Sequence, residues 1–330
     1  MNPAARVESM AETASNARLL VVGDLMVDAF VSGSIDRISP DAPVPVVDVR
    51  SVSYRSSGSL LASEIAVGLC GSVTSAGVVG EDDAAVALAQ CADSAGVTLL
   101  AVADAARPTT MKTRIFGEGQ QLIRLDREAR QPISGKQEAL LLEKAKDSMA
   151  NSDAVLISDY GKGVITKAVR DMVGVEAQRR GIPIVVDPCR STDSSFPNVA
   201  VLTPSVLELR AMAAALGSHG RTVPAIARDV LSGFGARALL VTRGRQGMTL
   251  YTPDRAVIDF PTVADKVVNV AGAGDGVAAA LAVFLAAGIS LPEACWGASL
   301  VAAQVVRQFD TAKVKVADLI AAAEKKVASS

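Results

Sequence analysis

VVNVAGAGDGVAAALAVFLAAG, residues 267–288, reads as a short strand, a glycine-rich turn and a helix of small residues that stops before Gly288. Gly272 and Gly274 let the backbone come close to a ligand. The first turn of the helix adds unpaired N–H groups and the positive end of a dipole, which favour an anion. The segment is therefore a phosphate-binding design. Asp275 stands at the helix start, where a carboxylate can take the proton of a hydroxyl attacking a phosphoryl group held by the same turn. An Asp that caps a helix after a flexible turn has the same local sequence, so the segment alone leaves both readings open. No GKS or GKT follows, so it is not a Walker loop.

Outward from this turn, apolar runs alternate with helical patterns. RLLVVGD (18–24), VTLLAVAD (97–104), DAVLISD (153–159), IPIVVDP (182–188), VAVLTP (199–204) and ARALLVTRG (236–244) are strand candidates. EDDAAVALAQCADSAG (81–96), SGKQEALLLEKAKDSMA (134–150), TKAVRDMVGVEAQRRG (166–181), SVLELRAMAAALG (205–217) and PAIARDVLSGFG (224–235) are helical. Short continuous apolar strands separated by helices predict βαβ units, a mostly parallel sheet covered on both faces and a doubly wound α/β body. Two stretches break the rhythm. Residues 28–58 show strands without a convincing helix, and residues 107–126 contain a hairpin, TMKTRIF and QQLIRLD around GEG. Strands with one polar face predict a small β-sheet lid. A third hairpin, GMTLYTPDRAVIDF, turns at TPDR late in the main body.

The chain has 330 residues, 50% hydrophobic and 21% charged, which fits a globular protein with a large core. Aromatics are only 3%, so ligand recognition is expected to rest on hydrogen bonds and charge more than on ring stacking. A net charge of −2 supplies no global field for a nucleic-acid backbone. Cys70, Cys91, Cys189 and Cys295 form no CxxC pair, and His219 is the lone histidine, so the sequence argues against a zinc site or a disulfide framework. The first 17 residues carry no apolar signal core and read as a disordered leader. The apolar run 276–291 is too short for a comfortable membrane span, and a cytoplasmic location is the default expectation. Near charge balance is an average: Arg107, Lys112, Arg114 and Arg124 face a single acid, Glu118, over residues 107–124. Lys112 and Arg114 alternate onto one strand face, and such cations suit a phosphorylated ligand, although a charged edge that discourages strand pairing has the same composition.

GAGD at a strand-to-helix turn, with GDLMVD (23–28) after the first strand, resembles the ribokinase-like (PfkB) carbohydrate kinases. RISPDAPVPVV (37–47), QQLIRLD (120–126), SDYGKG (158–163) and LLVTRGRQGMTL (239–250) resemble its heptose 7-phosphate kinase branch. The similarity runs from about residue 19 to 323. It implies a ribokinase-like kinase domain over 18–330 with lid segments near 28–58 and 107–126, and a homodimer formed through the lid. It further implies ATP and Mg²⁺, a sugar phosphate acceptor, and phosphorylation of the anomeric C1 hydroxyl of a heptose 7-phosphate. By resemblance Asp275 is the base, and Gly272, Ala273 and Gly274 form the anion turn. Asp28, Asp24, Gly58, Lys112, Arg114, Arg124 and Lys162 hold the sugar phosphate. Ser205, Glu208, Thr242, Arg243, Gly244, Gly247 and Ser299 line the nucleotide site, and Glu208 organises Mg²⁺ through water.

The pattern departs from the family at several of these places. Its Gly-Gly-x-x-Asn sugar motif is Ser57, Gly58, Ser59, Leu60, Leu61 here, and its Asp-x-Thr-Gly-Ala-Gly-Asp-Thr run is Asn269 to Gly276. Ser205 replaces the Asn of Asn-x-x-Glu, Cys189 the Lys after Asp187-Pro188, and Ser299 and Asp310 replace an Asn and a Gly. Three readings follow: a working heptose phosphate kinase, a kinase for another phosphorylated sugar, and a catalytically silent homologue that binds sugar phosphate or nucleotide.

Overall fold

The apolar runs are strands because both of their faces are covered. In β1 (Arg18–Gly23) every residue after Arg18 is buried, and so is all of β8 (Ala154–Ser158). The computed structural model describes residues 2–190, 196–308 and 314–328. Within them a nine-stranded sheet runs in the order β13 (Val257–Phe260), β12 (Met248–Tyr251), β11 (Leu239–Thr242), β10 (Val201–Leu202), β9 (Ile184–Asp187), β8, β1, β4 (Ser72–Val79), β5 (Thr98–Ala103). Pairing is parallel from β5 to β11, and β12 and β13 are added antiparallel as the hairpin turning at TPDR. The chain leaves β1 toward β4 and β5, then returns to place β8 on the other side of β1. That reversal opens a crevice at the carboxyl ends of the strands.

Strand periodicity of two separates the core into layers. Leu19, Val21, Leu156 and Leu240 face a layer built from α1 (Pro3–Ala14), α2 (Ser59–Val67), α8 (Ala273–Ala286), α9 (Leu291–Val305) and α10 (Val316–Ala328). Leu20, Val22, Val155 and Val241 face α4 (Gly135–Met149), α5 (Lys167–Arg180), α6 (Val206–Ala215) and α7 (Val223–Phe234). A third cluster packs α3 (Asp83–Ala95) beneath the second sheet. Every residue of α8 from Asp275 to Phe284 is buried. Its alanines let neighbouring elements approach closely, which fits a core with few aromatic rings. No helix among the described residues is long and apolar enough to cross a membrane.

The second sheet has the order β3 (Pro45–Gly58), β2 (Leu25–Ile38), β6 (Thr110–Gly117), β7 (Gln120–Arg127). Glu118 and Gly119 both have positive φ, the condition of a tight two-residue turn between β6 and β7. The register fixes two unlike faces. One carries the rows Arg55–Asp28–Lys112–Asp126 and Ser53–Phe30–Arg114–Arg124. The other carries Tyr54–Ala29–Thr113–Leu125 and Val52–Val31–Ile115–Ile123.

Two expectations are corrected. Residues 3–14 are helix α1 rather than part of a disordered leader: Ala4, Val7, Met10 and Ala14 recur at helical spacing and are buried, Asn2 caps the start, and Arg6 lies over Trp296 and pairs with Glu293. VVNV (267–270) forms no strand. Its backbone instead donates from Val268 and Asn269 to the Val306 carbonyl, leaving the valine side chains exposed. Asp310 lies outside the described residues.

Candidate active site

The carboxyl ends of β8, β9 and β11, the loop after β10 and the first turn of α8 converge on a cleft of about 810 Å³, within the range of small-molecule sites. Asp159, Tyr160, Asp187, Glu208, Thr242 and Asp275 are among its lining residues.

Asp275 enters from α8. Gly272, at φ +81°, caps that helix in a left-handed conformation that a residue with a Cβ adopts only under strain, and a Cβ there would also press on Leu61. At Gly274 a Cβ would meet nothing within 4 Å, so the turn is open on that side. The Ala273 N–H points to the Val270 carbonyl at 3.3 Å, so its amide is already partnered within the turn. The Asp275 carboxylate is buried and accepts from the Tyr160 hydroxyl at 2.5 Å. Burial pushes its pKa up to about 6, and the Tyr160 hydrogen bond and the positive charge of Lys112 pull against that rise. Asp187 is also raised, chiefly by burial and then by repulsion from Asp275 and Glu208.

Asp28 and Arg114 meet on the polar face of the lid, with Nη1 to Oδ2 at 2.7 Å. The second carboxylate oxygen of Asp28 is buried without a hydrogen-bond partner, an acceptor available to a ligand hydroxyl. Lys112, beside Asp28 in register, is partly buried. That burial lowers its pKa, and its charge acts on Asp275 across the cleft. The structure thus brings Asp275, Lys112, Arg114 and Asp28 toward one another. Lys162 lines the cleft and pairs with Glu128 at 2.6 Å.

Other expected ligand residues are placed differently. Asp24 is 1% exposed and accepts from the N–H groups of Tyr160, Lys162 and Val164, so it holds the loop after β8 and offers nothing to a sugar. Burial pushes its pKa up to about 6, with repulsion from Asp159 adding to the rise. Arg124 is on the outer strand, paired with Asp126 through two hydrogen bonds and half exposed. Arg107 donates to the carbonyls of Gln131 and Lys162 and braces the base of the lid. Gly58, at φ +59°, lies against the Asp24 carbonyl and Met26, where it makes the β3-to-α2 corner.

On the nucleotide side, Ser205, Glu208 and Thr242 line the cleft. Ser205 and Glu208 also form a capping box at the start of α6, with Glu208 Oε2 accepting from the Ser205 N–H at 2.7 Å. The Arg243 guanidinium turns to Asp259 on β13. Gly244 begins and Gly247 follows a single 3₁₀ turn, and Gly247 at φ +82° sits so near the Phe260 carbonyl that its role is the close approach of backbone to backbone. Ser299 is corrected: it is buried in α9 and its hydroxyl donates to the Trp296 carbonyl.

Sequence reading missed Tyr160, Asp159 and Asp187. The available signal was an acid or phenol at the carboxyl end of a buried parallel strand or within two residues of it.

The sequence model described as "pfkB family carbohydrate kinase" matches residues 16–317. The chain belongs to the pfkB family of carbohydrate kinases. It is 39% identical over 317 residues to "Bifunctional protein HldE" of Trichlorobacter lovleyi, covering 96% of this chain and 65% of that protein. To the protein of the same name from Shewanella piezotolerans it is 40% identical over 304 residues, covering 92% of this chain and 63% of that protein. The kinase thus spans just under two thirds of the length of these relatives. Its fold is similar to that of Arabidopsis thaliana ribokinase complexed with ribose and ATP, at TM-score 0.70 and 19% identity over 94% of this chain and 99% of that one. Escherichia coli phosphofructokinase-2 in complex with substrates and products gives TM-score 0.71 and 15% identity over the same shares, 94% and 99%. The architecture is the ribokinase-like α/β fold, and the kinase is a phosphotransferase with a hydroxyl acceptor.

Proposed function

We propose that this kinase transfers the γ-phosphoryl group of ATP to the C1 hydroxyl of D-glycero-D-manno-heptose 7-phosphate, or of a close heptose phosphate, giving the 1,7-bisphosphate for nucleotide-activated heptose synthesis. The observation that carries the reading is Asp275 on its glycine turn, facing a lid whose polar side presents Lys112 and the Asp28–Arg114 pair. The relatives' name HldE supports the heptose branch.

With a pKa of about 6, Asp275 is mostly ionised at neutral pH and can accept the C1 hydroxyl proton as the oxygen attacks phosphorus. The orphaned Asp28 oxygen receives a sugar hydroxyl, and Lys112 and Arg114 meet phosphate charge. The turn at Gly272–Gly274 and the N-terminus of α8 stabilise the transferring group. Lid closure excludes water, which otherwise competes as acceptor.

The donor set fits hydrated Mg²⁺. Several carboxylates repel one another in the cleft, yet no cluster of three or more His, Cys, Asp or Glu among the described residues forms a direct cage. Glu208 would hold the ion through water. Bound there with nucleotide, it would supply positive charge that offsets the charge of the phosphates.

The apolar lid rows, with Val52, Tyr54, Ile123 and Leu125 each about half exposed, support pairing of two lids in a homodimer. A cytoplasmic location fits an enzyme acting on ATP.

The test is Mg²⁺-dependent ADP release with heptose 7-phosphate. Asp275→Asn is expected to lower the rate roughly 10²–10⁴-fold. Turnover with a different phosphorylated sugar alone would reassign the acceptor. Absence of turnover above the Asp275→Asn control with every phosphorylated sugar would leave a binding homologue, a reading that Leu61 against Gly272 and the engaged Ser299 hydroxyl favour.

A further inference from the structure

We propose that Tyr160 is the positioning residue of the base: its phenol fixes the Asp275 carboxylate in one orientation and favours its proton-accepting form. For the chemical step this rests on the kinase reading above, in which Asp275 is the base.

The two residues are 115 positions apart and come from different elements, Tyr160 from the loop after β8 and Asp275 from α8. Their contact at 2.5 Å has the length of an O–H···O⁻ bond to a charged acceptor. Tyr160 is itself held at its backbone. Its N–H donates at 2.7 Å to Asp24 Oδ2, and Asp24 also receives the N–H groups of Lys162 and Val164. Asp24 follows β1 directly, so a rigid central strand fixes the loop, the loop fixes the phenol, and the phenol fixes the carboxylate. The phenol is partly buried beside carboxylates, and that loss of solvent together with repulsion from Asp275 and Asp187 raises its pKa well above the usual tyrosine value. It therefore stays protonated and is a donor to Asp275 whenever that carboxylate is ionised.

Charge around Asp275 comes from every side of the cleft. Lys112 reaches it from β6 and favours ionisation. Asp187 at the end of β9, Glu208 on α6 and Asp159 beside Tyr160 bring carboxyl groups toward the same space, and burial favours the protonated form of Asp187. Lys162, Arg130 and Arg190 also line the cleft. Burial opposes ionisation most strongly, and the Tyr160 hydrogen bond is the largest opposing influence. Removing only the phenolic oxygen leaves the ring in place and takes away the largest offset to burial, so the pKa of Asp275 rises further.

The experiment follows the Asp275 side-chain carboxyl by ¹³C NMR across pH in the 330-residue chain, with Asp275→Asn assigning the resonance. In Tyr160→Phe the titration midpoint is expected to rise by about one to two pH units, the size of one hydrogen bond to a charged group. The acid limb of kcat/KM is expected to move by the same amount, while KM for the sugar phosphate stays within about twofold. A residue that only packed the loop would change stability and leave the midpoint unmoved, and that outcome overturns the proposal. If Tyr160→Phe fails to fold, the wild-type protein still decides: a downfield Tyr160 hydroxyl proton that moves upfield in Asp275→Asn supports the bond, and its insensitivity to that substitution overturns it. Neither NMR measurement needs turnover. A moved midpoint with no kinase activity on any phosphorylated sugar therefore overturns the proposed function and leaves the role of Tyr160 standing.

Discussion

Asp24→Asn separates the cost of a buried charge from the value of its hydrogen bonds. Asp24 is 1% exposed and its pKa is pushed up to about 6, against 3.8 for an unperturbed Asp. A raised carboxyl favours the protonated folded state. Its contribution to stability is complete below the unfolded value of 3.8 and is lost as pH rises through about 6. The gap of about two units corresponds to about 3 kcal/mol. The asparagine variant does not titrate, so it lacks this loss. It does have a fixed defect: the Asp24 oxygens accept three backbone N–H groups, and an amide turned to keep Tyr160 and Lys162 presents its NH₂ to the Val164 N–H. That defect is expected to cost about 1–3 kcal/mol at every pH. Asp24→Asn is therefore less stable than wild type near pH 4, and the deficit shrinks or reverses by pH 7, the difference between the two proteins moving by about 3 kcal/mol. Urea unfolding of both proteins at half-unit steps from pH 4 to pH 7.5 measures it. A difference that stays constant over that range would refute the reasoning, whatever its absolute size.

Two further outcomes concern the lid and the amino-terminal helix. Lys112→Ala and Arg114→Ala are each expected to raise acceptor KM far more for phosphorylated than for unphosphorylated sugars, and equal effects would count against a phosphate role. Arg114→Ala carries the added effect of leaving the Asp28 carboxylate half-buried without its ion pair, so its thermal stability is measured alongside. Met10→Ala removes a buried side chain from the α1 contact and is expected to lower unfolding free energy by about 2–4 kcal/mol in urea. An unchanged transition would mean that α1 does not belong to the cooperative core.

The parts of this fold that were legible in the sequence are those whose signal is local. β1, β8 and β11 announce themselves as short apolar runs, α5 and α7 carry threonine caps and terminal glycines, and the β6–β7 turn carries its Gly119. Helix α1 was hidden because its buried face consists of two alanines with Val7 and Met10, which by composition look like a polar, alanine-rich tail. VVNV misled in the opposite direction. Its valines have strand propensity, but propensity yields where the backbone hydrogen-bonds to Val306 instead of a strand.

The same distinction divides the candidate site. Asp275 is legible because the glycines that shape its turn are its neighbours in sequence. Asp24 and Asp28 are not distinguishable by local sequence, since each is an Asp close to the end of β1. They differ because β2 carries Asp28 onto the lid face beside Lys112 and Arg114, while Asp24 turns inward to the N–H groups after β8. Arg114 and Arg124 are likewise equivalent as charges on a hairpin, yet register sets Arg114 next to β2 and leaves Arg124 on the outer strand with its own Asp126. What decides a role in each pair is which strand lies alongside, a property of pairing between distant segments. Tyr160 is the extreme case. Its chemistry depends on Asp24 from behind and Asp275 in front, 136 residues before it and 115 after it. Only the closure of the sheet brings the three together.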